Sequence, residues 1–478
     1  MSETPHSSAG GATLDKASLL GLAAMAVGVF VIANDFTALS VALPAIEKDY
    51  GADLTTVQWV INGYAMVFGV LIVTGGRLAD LFGRRRIFFV GSAIFAFFSV
   101  VGGLAPDVWI LLASRFFMGV GGAMMWPAIL GMTYGLLPSE KAGLAGGIIM
   151  GSAGFGNAVG PLIGGALTDS VGWRWIFFLN LPIAIFGILV TWWVIATDKA
   201  TGGDRKMDYG GIAALSAGLL ALLLALDQGT DYGWLDARII GLFVVSALSL
   251  AGFALIERRA GARALVPGDV IRNREFFAAC MATLLMSALF FSALLYLPQF
   301  MMKRLDYTAV GAGAGLLPMM GIFALTSFIA GPLYNRLGPK IVVSVGAACL
   351  AAGMFLLSRI APGTPFSDLI PGMMVMGVGV GLFYSSITTA AITALDKSRS
   401  SLAGAIVYMF QIAGGSIGLG LNTAIVVSAP TLAEGISWAC RVNGVLALGG
   451  LLVVLLFVGG KFDRTRLEGL IHHHRAHG

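Results

Sequence analysis

Charge is what this sequence is short of. Only 12% of its 478 residues are Asp, Glu, Lys or Arg, while 57% are hydrophobic, and the mean hydropathy is +0.87. A soluble domain covers its surface with far more charge, so a water-soluble enzyme or binding module is excluded and a polytopic membrane protein is indicated. Cysteine is nearly missing: Cys280, Cys349 and Cys440 lie far apart on or beside apolar stretches. They match no metal or redox spacing and read as packing residues. Histidine is confined to His6 and to His472, His473, His474 and His477, a cluster expected to be a solvated tail, and no metal site is expected. No G-x-x-x-x-G-K-[ST] pattern occurs, which disfavours a self-contained ATP-driven pump. Nothing supports enzyme chemistry or a bound cofactor.

What the chain does have is long apolar runs. About 20 such residues cross ~30 Å of hydrocarbon as a helix. Fourteen runs qualify, at about 17–43, 57–77, 87–105, 108–136, 142–168, 174–197, 209–227, 235–256, 276–302, 309–335, 339–359, 366–394, 401–428 and 440–460. The first is too long for a signal-peptide core and shows no clear cleavage site, so it reads as a retained span. An even number of spans puts both ends on one side. With the N-terminus in the cytoplasm, 22 of the 30 Lys and Arg fall inside and 7 outside, with Arg115 within a span, as the positive-inside rule expects. The basic excess behind the pI of about 9.1 is therefore topological, and no nucleic-acid partner is implied. Its strongest inside markers are "GRRR" (83–86) and "ERRAGARALVPGDVIRNRE" (257–275). A multi-pass protein of the cytoplasmic (inner) membrane with both termini cytoplasmic is expected.

The chain also repeats itself. "GRLADLFGRRR" (76–86) has a degraded counterpart in "GPLYNRLGPK" (331–340), offset by 255, with Asn335 in place of Asp80. "MGVGG" (118–122) recurs as "MGVGVG" (376–381) and "LAG" (144–146) as "LAG" (402–404), both offset by 258. Consistent order and offset indicate two six-helix halves. The expected division is a tail at 1–16, an N-terminal bundle at 17–197, two inserted spans and a linker at 198–275, a C-terminal bundle at 276–460 and a tail at 461–478.

These motifs carry a resemblance that covers nearly the whole chain. "GRLADLFGRRR", "LLASRFFMGVGGA" (111–123), "GSAGFGNAVGPLIGG" (151–165), "WRWIFFLNLP" (173–182) and "NDFTALSVALP" (34–44) are together similar to the signatures of the fourteen-spanning drug:proton antiporter branch of the major facilitator superfamily. The resemblance implies an all-α fold of two six-helix bundles plus two inserted helices. It also implies multidrug efflux by alternating access, driven by a proton gradient rather than a cofactor.

Each motif has its own physics. In 76–86, Gly76 and Gly83 allow close helix approach, Asp80 can cap or pair near a helix end, and Arg84 and Arg85 meet head groups or carbonyls. Alone this is a topology anchor; the resemblance implies a conformational latch. In 151–165, Gly151, Gly156, Gly160 and Gly164 sit at helical spacing and Pro161 removes a backbone hydrogen bond. Tight packing is one reading and a gating helix, which the resemblance implies, the other.

Asp35 and Arg115 are the ionisable residues placed well inside spans. Asp35 is nine residues before Pro44 and Arg115 eight after Asp107, hence ~13 and ~12 Å down their helices at 1.5 Å per residue. Intramembrane charges are costly and usually mark ion or substrate pathways. A static packing pair is possible, yet small residues suffice for packing in lipid, so Asp35 is the expected proton carrier with Arg115 as its modulator. The resemblance implies that both face the central cavity. The remaining cavity candidates are Asn34, Asn62, Tyr64, Met118, Trp126, Asn157, Phe290, Tyr296, Gln299, Met319, Met320, Tyr384, Tyr408 and Gln411. This apolar, aromatic set suits lipophilic or amphipathic ligands better than sugars. A proton-coupled exporter acting as a monomer among membrane lipids is the leading expectation. A carrier for one metabolite, lipid or sugar comes second, and a non-transporting receptor a distant third.

Overall fold

The computed structural model describes residues 16–196 and 207–459. All regular elements among them are helical, as a span through lipid requires when every backbone polar group must be paired internally. Fourteen helices are long and apolar enough to cross a membrane. They are span 1 (Lys16–Val41), span 2 (Thr56–Phe82), span 3 (Arg84–Gly103), span 4 (Val108–Leu136), span 5 (Ser139–Ser170), span 6 (Arg174–Val194) and span 7 (Tyr209–Gly229). Then follow span 8 (Ala237–Ala260), span 9 (Arg274–Arg304), span 10 (Leu317–Leu337), span 11 (Pro339–Leu357), span 12 (Phe366–Thr393), span 13 (Lys397–Ser428) and span 14 (Leu432–Phe457). The expected terminal tails, apart from Lys16, and the 198–206 part of the linker lie outside the described residues.

Span 10 differs from the sequence expectation of one helix over 309–335. A short helix, Ala309–Gly315, stops and the crossing helix starts at Leu317. Pro318 has no N–H for the preceding turn and the glycines at 311, 313 and 315 weaken it. Leu316 N bonds back to Gly313 O at 3.1 Å instead.

Spans 1–6 form one group, with span 4 against spans 2 and 3 and span 1 against spans 5 and 6. Spans 9–14 repeat the plan, with span 12 against spans 10 and 11 and span 9 against spans 13 and 14. The groups meet along two seams, span 2 on span 13 and span 5 on span 10. Because the repeat relates span 2 to span 10 and span 5 to span 13, the seams are pseudo-equivalent. Span 7 lies over the 2–13 seam, and span 8 packs on span 7 with only 11% of its apolar window buried. The 5–10 seam has the short helix Ala309–Gly315 beside it.

Candidate functional site

Asp35 on span 1 and Arg115 on span 4 meet, and both side chains are 0% exposed. Arg115 Nη1 donates to Asp35 Oδ2 at 2.5 Å. Asn180 Nδ2 of span 6 donates to the other oxygen at 3.1 Å and lies 3.2 Å from Ser99 Oγ of span 3. Arg115 Nε donates to Val60 O of span 2 at 2.6 Å, and its guanidinium lies 4.3 Å from the Tyr64 ring centre. Both carboxylate oxygens are thus hydrogen-bonded, which offsets the lost hydration of a buried charge. Arg115 Nη2, Asn34 Oδ1 and Tyr64 Oη have no protein hydrogen-bond partner, so the network has capacity for further partners. Asn180 was missed in the sequence. Its signal was a lone amide six residues after Arg174, at about the depth of Asp35.

The pair does not face the cavity as expected. A cavity of about 520 Å³ lies between the halves, lined on span 1 by Ile32, Ala33, Phe36 and Thr37 but not by Asp35. One residue turns a helix by about 100°, so Asp35 points into the bundle while its neighbours form the wall. Asn62, Trp126, Asn157, Phe290, Tyr384, Tyr408 and Gln411 line the cavity. Asn34, Tyr64, Met118, Tyr296, Gln299, Met319 and Met320 are not among its lining residues. Tyr64 and Met118 instead contact Arg115, the latter with Sδ 3.8 Å from Nη1. Tyr296 stands behind Thr423, a lining residue whose Oγ1 is 2.6 Å from its hydroxyl. Trp126 and Tyr408 touch across the halves with ring centres 4.6 Å apart. Asp227 of span 7 also lines the cavity, where Asn62 Nδ2 donates to its Oδ1 at 3.2 Å. It too was missed, because the apolar run ends at 227 whereas the helix continues to Tyr232. A second recess of about 780 Å³ runs between spans 2, 4 and 7 and is almost wholly apolar; Met66 lines both.

The cavity occupies the half of the bundle away from the 76–86 motif, and that motif seals the other end. Asp80 accepts from Leu402 N at 2.9 Å and Ser401 N at 3.3 Å, which puts a carboxylate at the positive end of span 13. Arg84 links Asp80 Oδ1 at 3.3 Å, Gly131 O at 2.9 Å and Lys397 O at 2.5 Å. A Cβ on Gly76 would lie 2.7 Å from the Ala405 Cβ, so only glycine lets span 2 come this close. Gly83 has φ +99°, which glycine adopts without strain. Arg85 serves another purpose: it donates to Trp192 O at 2.7 Å, tying span 3 to span 6 within one half. The 5–10 seam mirrors the seal, with Gly143 N donating to Asn335 Oδ1 at 3.1 Å. Tyr134 and Thr389 hydroxyls, 2.9 Å apart, join spans 4 and 12.

The glycines of span 5 work on two faces. A Cβ on Gly156 would sit 2.8 Å from Phe30 O, and one on Gly160 would strike Thr37. Gly164 abuts Ala38 O. This stripe holds the backbone of span 1 on both sides of Asp35. Gly151 faces Phe328 and Gly147 faces Ser327 O, both of span 10. The helix runs unbroken through Pro161.

The sequence pattern of the Major Facilitator Superfamily matches residues 25–419. The chain is 34% identical to puromycin resistance protein pur8 of Streptomyces alboniger over 92% of this chain and 88% of that protein. It is 32% identical to the tetracenomycin C resistance and export protein of Streptomyces glaucescens over 85% and 76%. To multidrug transporter protein MdtP of Bacillus subtilis it is 28% identical over 84% and 73%. The fold is similar to that of the human organic anion transporter MFSD10, with a TM-score of 0.66 over 91% of this chain and 99% of that one at 13% identity. With two repeated six-helix groups, two seams and a central cavity beneath that match, the chain belongs to the major facilitator superfamily.

Proposed function

We propose that this transporter is a proton-coupled antiporter that exports lipophilic or amphipathic drug-like compounds across the cytoplasmic membrane by alternating access. The observation that carries the reading is the fully buried Asp35–Arg115 pair directly behind the cavity wall. Protonating Asp35 removes its attraction to Arg115, leaving an arginine whose burial is then uncompensated. The two protonation states therefore favour different packings of spans 1 and 4. Span 5 grips span 1 around Asp35 and touches span 10 with its other face, a physical route from the carboxylate to the seam between halves. The basic-residue bias assigns the sealed end to the cytoplasm, so the cavity faces outward in this state. A proton taken up there and released inside exchanges for substrate. Relatives named for resistance to puromycin and tetracenomycin C support a small organic cargo. One chain holds pair, cavity and seal, so the monomer is the working unit.

The test is transport in proteoliposomes with and without an imposed pH gradient. The wild type accumulates a lipophilic substrate against its gradient when the pH gradient is present. Asp35→Asn retains substrate binding and loses gradient-driven accumulation. Proton-for-substrate exchange by Asp35→Asn at the wild-type rate would remove Asp35 from the mechanism.

A further inference from the structure

We infer that the recess between spans 2, 4 and 7 is a lipid site, which seats one acyl chain of a phospholipid from the leaflet away from the 76–86 motif. This goes beyond the export reading and does not depend on it. The recess exists because an inserted helix stands beside the N-terminal bundle: span 2 forms its floor, span 4 one side and span 7 the other.

Depth identifies the occupant. The groove opens at Thr56 and Trp59 on span 2 and at Trp109 on span 4, at the helix ends away from the 76–86 motif. Trp109 is 71% exposed, and tryptophan is enriched at the level of lipid head groups. The groove ends at Met66, ten residues into span 2, at Phe117, nine into span 4, and at Leu220, nine before the end of span 7. At 1.5 Å per residue all three lie ~14–15 Å down, half of the ~30 Å of hydrocarbon. The groove is therefore one leaflet deep. Its lining holds no charged residue, so it suits a chain and not a head group. Left empty, a recess of about 780 Å³ would forfeit dispersion contacts along its walls, and hydrocarbon is what the surroundings supply at that depth.

The site bears on the cavity because the partition between them is thin. Met66 lines both spaces, while Gly63 and Leu224 of the groove are chain neighbours of Asn62 and Leu223 of the cavity. A Cβ on Gly63 would meet only Trp59 of its own helix, at 3.8 Å, so the floor is open there. A methionine side chain adapts readily to what it packs against, so a chain seated on Met66 backs the cavity wall.

The experiment uses the purified full-length protein in phosphatidylcholine nanodiscs doped with a phosphatidylcholine that carries a diazirine at one chain end. After illumination, mass spectrometry maps the adducts. Leu248 of span 8 is the reference for ordinary contact with bulk lipid, being 68% exposed and ~17 Å down its helix. Labelling at Met66 is expected to exceed that at Leu248 by about fivefold. Ala113→Trp and Leu220→Trp fill the groove from its two sides, at exposed positions that do not line the cavity. Each is expected to bring Met66 down to the level of Leu248, with Leu248 labelling and the thermal midpoint unchanged. Three results overturn the proposal. They are equal labelling of Met66 and Leu248 in the wild type, unchanged Met66 labelling in both filled variants, or displacement of the label by tetraphenylphosphonium, which would give the groove to cargo.

Discussion

Two seams close the same end of the bundle with matching shapes and different chemistry. Where span 2 meets span 13, Asp80 caps the start of span 13; where span 10 meets span 5, Asn335 caps the start of span 5. Gly76 and Gly331 each admit the facing helix, and Gly83 and Gly338 both have positive φ. The same contrast runs through the interior. Gly156 and Gly160 hold span 1 near Asn34 and Ala38, and their repeat partners Gly414 and Gly418 hold span 9 near Leu284 and Ala288. That register puts Leu285 at the level of Asp35, while Met373 stands in the place of Arg115. At these matched positions the steric parts recur in both halves, while Asp35, Asp80 and Arg115 of the N-terminal half correspond to uncharged Leu285, Asn335 and Met373 in the other. Helix packing in lipid needs only small residues, and the proposed proton coupling gives the charges of the N-terminal half a use beyond packing.

The strongest way to break the contrast is to give the N-terminal half the chemistry of the other. Arg115→Met alone leaves Asp35 buried without its cation and is expected to cost about 3–5 kcal/mol, read as a large fall in the thermal midpoint of the purified protein. Adding Asp35→Leu makes the site apolar like its counterpart and is expected to recover most of that stability, because apolar replacement of a buried ion pair is often neutral or better. On the proposed proton coupling, both variants are expected to lose pH-driven transport. A stable Arg115→Met single variant would mean that the pair contributes little to holding spans 1 and 4 together.

Depth was legible in the sequence and direction was not. Counting residues from the span ends put Asp35 and Arg115 level, and they touch. Counting could not tell which side of span 1 Asp35 occupies, because cavity wall, bundle interior and lipid all accept apolar neighbours. Tyr64 and Met118 were therefore read as cavity residues although they contact Arg115. The fourteen spans were legible because lipid demands long apolar runs. Asp227 escaped because hydropathy ends a span at the first acid, whereas the helix carries on.

A smaller effect separates the glycine stripe from ordinary glycine. Gly164→Ala drives a methyl group against the carbonyl of Ala38 and is expected to cost about 1–3 kcal/mol as overpacking, with slower transport because span 1 is displaced three residues from Asp35. The C-terminal half has Asn422 at the matching position, paired with Asn443 at 2.9 Å, so it does without this glycine. Gly165 is the control. A Cβ there meets Val310 at 3.6 Å, an ordinary contact, and Gly165→Ala is expected to be neutral or to gain up to about 1 kcal/mol from helix propensity. Equal thermal midpoints for the two variants would show that span 5 does not depend on close contact with span 1.

The smallest expected change is the most specific to the seams. Asp80→Asn keeps a side-chain oxygen for one amide of span 13 but removes the negative charge from its positive end. That interaction is worth about 1 kcal/mol. On the proposed alternating-access cycle the contact is made in the sealed state and broken in the open one, so its loss is expected to leave fold stability nearly unchanged and to shift the balance between sealed and open ends by about fivefold. Asn335→Asp should do the opposite on the other seam by adding charge at the start of span 5. Labelling of a cysteine placed at Ser401, on the sealed face, reads the balance directly: it should quicken in Asp80→Asn and slow in Asn335→Asp. Combining the two substitutions moves the charge from one seam to the other and should return labelling towards the wild-type rate. If the seams are equivalent in function, transport returns with it. If transport stays impaired while labelling recovers, the 2–13 seam, over which span 7 lies, has to carry the charge itself.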